Sequence, residues 1–199
     1  MKIDCEPFTW RAYEDILDTG IKAGYSFISF SDLTETNNII DRSYIILRHD
    51  IDYDPRCALP ISKIESSKGI KATYFFQPDS PFYRLNSYNA LKIIENILLQ
   101  GHWLGLHFDA NNIKEDFEIA EKIELAAQEL ENTFDTVISA VSFHMPGYPR
   151  TVQQIQLLKN RINTYSPQIF NSIEYISDSN QNWRDKNVIK ILEEERFNK

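Results

Sequence analysis

The chain has 199 residues, of which 42% are hydrophobic, and a formal net charge of −8. That length suits one domain with a sizeable core, although a closed β/α barrel usually takes roughly 200 to 250 residues. The acidic balance argues against a nucleic-acid backbone as partner, because phosphate binding needs clustered Lys and Arg, and it suits a protein that holds a cation. Cys5 and Cys57 are too few for a disulfide framework and are expected to be reduced and structural. The first residues lack a basic stretch followed by an apolar run, and no apolar stretch approaches the roughly 18 to 20 residues of a membrane span. A cytoplasmic protein is the expectation.

Apolar residues at helical spacing predict a helix over 8–23 with Gly24 as its stop, then a short strand over 26–30. The polar stretch 32–42 reads as a loop. A compact apolar run over 44–47 ends in Arg48-His49-Asp50-Ile51-Asp52. A helix over 55–68, stopped at Gly69, leads to the β-forming run 72–76, which ends at Gln77-Pro78. The unit then recurs as a helix over 87–100, a stop at Gly101 and a strand over 102–108. A helix over 113–132 and a strand over 137–143 follow, ending in His144-Met145-Pro146-Gly147. Residues 151–160 read as helix, 175–177 as a weaker strand ending at Asp178, and 186–195 as the last helix.

Short buried strands alternating with helices imply βαβ crossovers and a parallel sheet. The strands end in Asp50 and Asp52, Gln77, His107 and Asp109, His144, and Asp178. Active sites of parallel α/β folds lie at that edge, so these side chains are expected to share one mouth. Asp50 and Asp52, at i and i+2, would point to one face and crowd each other unless a cation lies between them. An Asp-rich turn capping the following helix through Asp54 is the alternative. All four histidines, His49, His102, His107 and His144, lie at or beside strand ends, where metal ligation or proton transfer competes with a hydrogen-bonded core role. His49 is expected to face away from Asp50 in a supporting role.

Three segments in order, Leu47 to Asp52, Lys71-Ala72-Thr73-Tyr74-Phe75-Phe76, and Gly101-His102-Trp103-Leu104-Gly105-Leu106-His107, resemble the NodB-type polysaccharide deacetylases, carbohydrate esterase family 4. The resemblance covers roughly residues 8–184. It is strongest to a bacterial branch found with surface-polysaccharide biosynthesis, whose third motif is matched by Ser142-Phe143-His144. It implies an α/β fold of the deformed parallel (β/α)7-barrel type and a divalent metal, often zinc. By position it implies Asp50 as general base, Asp52 as metal-binding carboxylate and His107 as first histidine of the family's His-x-x-x-His. The second histidine of that motif is Asn111 here. His144 is the candidate replacement, either as third metal ligand or as the group that orients Asp50 in place of the family's arginine. Asp109 and Asn111 are outside candidates. The family's last strand carries a Leu-x-His that supplies the general acid and has no counterpart before Lys199. Residues 1–199 are therefore expected to form a single barrel domain without its final strand.

The reading is a metal-dependent hydrolase, with zinc as the expected cofactor, that removes N-acetyl groups from a sugar or glycan precursor. A catalytically impaired barrel that binds sugar or a partner protein is the first alternative. A metal-dependent phosphoesterase comes third, because six glycines and no Gly-rich loop leave little to cradle a phosphate.

Overall fold

The computed structural model describes residues 8–35, 43–111, 113–146, 152–171, 173–178, 183 and 187–194. Helix α1, Trp10–Ala23, starts at Thr9, whose hydroxyl accepts the Ala12 N–H, and stops at Gly24 in the left-handed conformation at φ 85°. A two-residue strand β1, Ser26–Phe27, pairs in parallel with β2, Tyr44–Ile45. Between them the expected loop begins instead with helix α2, Phe30–Glu35. The cause is a reciprocal cap: the Ser29 N–H and hydroxyl both donate to Asp32 at 2.8 Å, and the Asp32 N–H returns to Ser29 Oγ at 3.0 Å. The rest of that expected loop lies outside the described residues.

The main sheet has five parallel strands in chain order: β3 Arg48–Ile51, β4 Thr73–Phe76, β5 Trp103–Phe108, β6 Ala140–Phe143 and β7 Ile162–Asn163. Strand β3 starts at Arg48, so Asp50 lies within it rather than beyond its end. Helix α3, Ala58–Ser67, follows a 3-10 turn at Pro55–Cys57, where Asp54 does serve as the cap. Cys57 is a free, exposed thiol there, and Cys5 lies outside the described residues. Helices α4, Tyr88–Leu99, and α5, Asp116–Phe134, supply the next two crossovers. Among the described residues no helix is long and apolar enough to cross a membrane.

The chain between β6 and β7 departs from its helical periodicity: described residues 152–160 form turns. Lys159 and Asn160 take left-handed backbone at φ 50° and 58°. The Asn163 amide donates to the carbonyls of Val152 and Ile155, at 2.8 and 3.1 Å, which a helix would need for its own ladder. Residues 175–177 are not a strand. Instead the chain gives the short β7, then α6, Pro167–Phe170, and later α7, Val188–Glu194, which packs on α1.

Strand alternation divides the sheet into two faces. Tyr74, Phe76, Leu104, Leu106, Val141 and Phe143 point outward into the large apolar core beneath the helices. The inner face, through paired registers, carries Arg48 and Asp50, Phe75, Gly105 and His107, Ala140 and Ser142, and then Ile162. The sheet curls strongly. Five flat strands would separate β3 from β7 by about 19 Å, at about 4.8 Å per step, yet Arg48 of β3 hydrogen-bonds Thr164 and Tyr165, the residues just after β7. The curl makes a barrel-like interior, although β3 and β7 do not pair among the described residues. Gly105 fits that narrow interior because a Cβ there would lie 2.4 Å from the Phe75 ring.

Arg161 fixes the far edge. Only 4% of its side chain is exposed, and all five of its N–H groups are taken. Two go to Glu124 at 2.9 and 3.2 Å, two to Glu131 at 2.8 and 3.1 Å, and one to the Ile138 carbonyl. The start of β7 is thereby tied to α5 and to the approach to β6.

Candidate active site

Three strands deliver side chains to one mouth. Asp52 lies one residue beyond β3, His107 near the end of β5, and His144 one residue beyond β6. The His144 N–H extends the ladder to the Phe108 carbonyl at 2.9 Å, which sets its ring beside that of His107, 5.4 Å away and nearly perpendicular. Asp52 Oδ1 lies 3.0 Å from His107 Nε2 and 3.2 Å from His144 Nδ1, and the two ring nitrogens are 3.3 Å apart. His107 is buried, whereas Asp52 and His144 keep about a third of their side chains exposed (35% and 29%), so the trio opens to solvent on one side.

The donor set fits a metal. One carboxylate and two imidazoles are the usual ligands of catalytic zinc, and tetrahedral ligands at 2.0 to 2.1 Å stand about 3.3 Å apart. The ligand atoms of Asp52, His107 and His144 all lie within 4.8 Å of one another. Asp109 accepts the Asn111 N–H at 2.9 Å in a local turn, and Asp109 is not one of this group.

Asp50 is held differently from what its sequence neighbours suggest. Arg48, two residues earlier on the same face, donates to it twice, through Nε at 3.0 Å and Nη2 at 2.5 Å. His144 bonds Asp52 and His107 instead, so the orienting partner of Asp50 is Arg48. Arg48 is fixed in turn by Ser142 at 2.8 Å, Thr164 at 3.3 Å and the Tyr165 hydroxyl, and it lies over the Tyr165 ring at 4.5 Å. Burial works to raise the pKa of Asp50, but Arg48 outweighs it, with help from His107 and Ser142, and the carboxyl is held below its ordinary range. The pKa of Asp52 is also lowered, first by its hydrogen bond to His107 and then, against some desolvation, by the charges of His107 and His144. The arrangement thus offers an ionised carboxylate beside a potential metal trio.

His49 and His102 belong elsewhere. His49 points to the outer face of β3, as its place between Arg48 and Asp50 requires, and meets Glu65 of α3 at 2.6 Å. Tyr13 and Tyr74 each donate to the same buried carboxylate at 2.5 Å. His102, before β5, accepts the Ala72 N–H at 3.2 Å and lies 3.0 Å from the Ser62 carbonyl. This network ties α1 and α3 to the back of the sheet. Arg48 was legible as a same-face neighbour of Asp50, but Thr164 and Tyr165 carried no signal in the sequence.

At the mouth, the loop after β4 is stitched to the segment around Asp52. The Tyr83 hydroxyl donates to the Ile51 carbonyl at 2.8 Å, and Ser80 donates to that of Asp52 at 3.3 Å. These bonds set Phe82 against Tyr53, with ring centroids 4.7 Å apart and both rings mostly exposed.

No family model matches the chain, and no curated protein matches it. Solved structures do. IcaB from Ammonifex degensii aligns with a TM-score of 0.53 at 12% identity over 67% of this chain and 65% of its own. The Streptococcus pyogenes deacetylase PplD, solved in complex with acetate, aligns with a TM-score of 0.53 at 14% identity over 65% and 59%. The chain thus spans less than two thirds of the length of either structure. The curled parallel sheet described here shares the fold of these structures, that of the NodB-type deacetylases, carbohydrate esterase family 4.

Proposed function

We propose that this chain forms a single-domain, metal-dependent hydrolase that removes N-acetyl groups from a sugar or glycan precursor. The observation that carries the reading is the Asp52, His107 and His144 trio beside an ionised, Arg-held Asp50. Asp52, His107 and His144 would hold a divalent metal, with zinc favoured by their oxygen and nitrogen donors. When bound, that metal supplies Lewis acidity toward an acetamide carbonyl and makes a water nucleophilic near neutral pH. Asp50 is the general base: it is ionised, points into the same mouth, and its fork from Arg48 leaves it free to take the proton of the attacking water. Arg48 keeps that carboxylate in place through the reaction, since both of its contacts to Asp50 come from one planar group.

Tyr53 and Phe82 support a carbohydrate substrate. Sugar rings present apolar C–H faces, and an exposed aromatic pair next to Asp52 offers a surface for one. The fold shared with a deacetylase agrees with this chemistry. The test is acetate release from N-acetylglucosamine oligomers by purified protein, with zinc added and after chelation. Metal-dependent release is expected. Zinc bound stoichiometrically with no acetate released from any N-acetylated sugar would refute the activity, and chelator-insensitive release would refute its metal dependence.

A further inference from the structure

Gln77, one residue beyond β4, is buried at the mouth with its carboxamide unpaired. Only 4% of the residue is exposed, and among the described residues no hydrogen bond reaches its side chain. A side-chain amide offers two N–H donors and an acceptor, and burying them is unfavourable unless a ligand meets them. The direction of the side chain follows from the backbone. The Thr73 N–H donates to the Leu47 carbonyl, on the β3 side, at 3.0 Å. Four residues on, the Gln77 N–H still faces β3, but the Tyr83 hydroxyl is set into the ladder. It accepts that N–H at 2.8 Å and donates to the Ile51 carbonyl at 2.8 Å. The alternation is therefore unbroken, and Gln77 shares the inner face with Thr73 and Phe75.

The strand registers bring Gln77 to the trio. Ile51 pairs with Phe76, and Phe76 with Leu106, so the next step sets Asp52, Gln77 and His107 in one row. Neighbouring backbones in such a row are about 4.8 Å apart. Gln77 thus stands between a carboxylate and an imidazole, and it is the member of the row that brings uncharged N–H donors. In the hydrolysis of an acetamide, water adds to the carbonyl carbon, its proton passes to Asp50, and the π pair moves onto the carbonyl oxygen. The C–N bond then breaks as that proton reaches the nitrogen, leaving acetate and a free amine. A prepositioned N–H in a water-poor site is worth most to the oxygen on which the charge builds.

We propose that Gln77 is a catalytic residue whose side-chain N–H donates to the acetamide oxygen and stabilises the charge that forms there. The inference rests on reading this site as that of an N-deacetylase. Tyr83 positions the donor before substrate arrives, because one hydroxyl ties the backbone of Gln77 to the residue preceding Asp52.

The test compares the full chain with Gln77→Met, which nearly keeps the volume and removes both donors. Zinc affinity, melting temperature and acetate release from N-acetylglucosamine oligomers are measured for each. Because the amide has no partner among the described residues, the variant is expected to melt at or above wild type and to bind zinc equally well. Turnover is expected to fall about 100-fold, the low end for loss of one oxyanion donor, with KM little changed. A methylphosphonamidate of glucosamine, whose oxygens mimic the charged one, is expected to shift the Gln77 side-chain amide in nitrogen-15 NMR spectra of the wild-type protein. Wild-type turnover in Gln77→Met would overturn the role of Gln77 and leave the deacetylase reading standing. A drop in zinc affinity or in melting temperature would overturn it too, since the amide would then serve the metal or the fold. If the variant fails to fold, an amide signal unmoved by bound phosphonamidate still decides against it. No acetate release by the wild-type protein with zinc would overturn both.

Discussion

Replacing Glu124 by Gln probes the clamp that fixes the far edge of the sheet. Glu124 is about nine-tenths buried and receives two hydrogen bonds from Arg161 as well as an ion pair from Lys159 at 2.7 Å. The hydrogen bonds from Arg161, working against a desolvation penalty and assisted by Lys159 and Gln128, lower its pKa from the ordinary 4.5 to about 2. At 1.36 kcal/mol per pH unit, that difference is worth about 3 kcal/mol of folding stability at neutral pH. Because the folded-state pKa is the lower one, this stability is fully present above pH 4.5 and is lost as pH falls toward 2. Glu124→Gln should therefore unfold at lower urea at pH 7, with a melting temperature lower by roughly 6 to 12 °C for a domain of this size. The gap from wild type should narrow steadily below pH 4.5. Urea titrations of both proteins at pH 7 and pH 3, followed by circular dichroism, measure it. A loss under about 1 kcal/mol at pH 7, or a gap that persists undiminished at pH 3, would show that the pair does not carry the edge.

Asp50→Asn should abolish acetate release while leaving zinc affinity nearly unchanged, whereas Asp52→Asn and His107→Ala should release zinc; equal metal loss in all three would refute the division between base and ligands. Arg48→Lys keeps the charge but loses the planar fork, so kcat/KM should fall about 10- to 100-fold with zinc binding retained. Wild-type turnover in that variant would exclude Arg48 as the support of Asp50. Gly105→Ala should destabilise the protein by about 1 to 3 kcal/mol, because its Cβ would meet the Phe75 ring at 2.4 Å. A melting temperature at or above wild type would mean that the barrel interior is looser than the Phe75 contact implies.

The parts of this fold legible in the sequence are those where local pattern and tertiary need coincide. Helix α4 is read from Ser87 to its stop at Gly101 because cap, apolar spacing and glycine all agree. Asp52, His107 and His144 could be placed at one mouth because parallel strands send their ends to the same side. The errors have physical causes. Residues 152–160 have helical spacing, yet their carbonyls are claimed by Asn163, far along the chain in pattern terms. His102 looks like a rim residue in the sequence, but it sits just before β5, at the back of the sheet, 3.7 Å from Glu65. Arg48 as partner of Asp50 was available from the i, i+2 spacing alone. Its anchors Thr164 and Tyr165 were not, because only the curl of the sheet brings residues 116 and 117 positions away into reach.

That reach makes the hold on Asp50 depend on the width of a gap. Arg48 leaves one border of the sheet and grips the opposite border, like the screw of a clamp set across its jaws. Hydrogen bonds fail within a few tenths of an ångström beyond about 3.2 Å, so the spacing of the jaws is read out directly at the carboxylate. Whatever draws β7 toward β3 tightens the grip on Asp50 without touching it. Whatever is wedged between the two borders slackens that grip just as remotely.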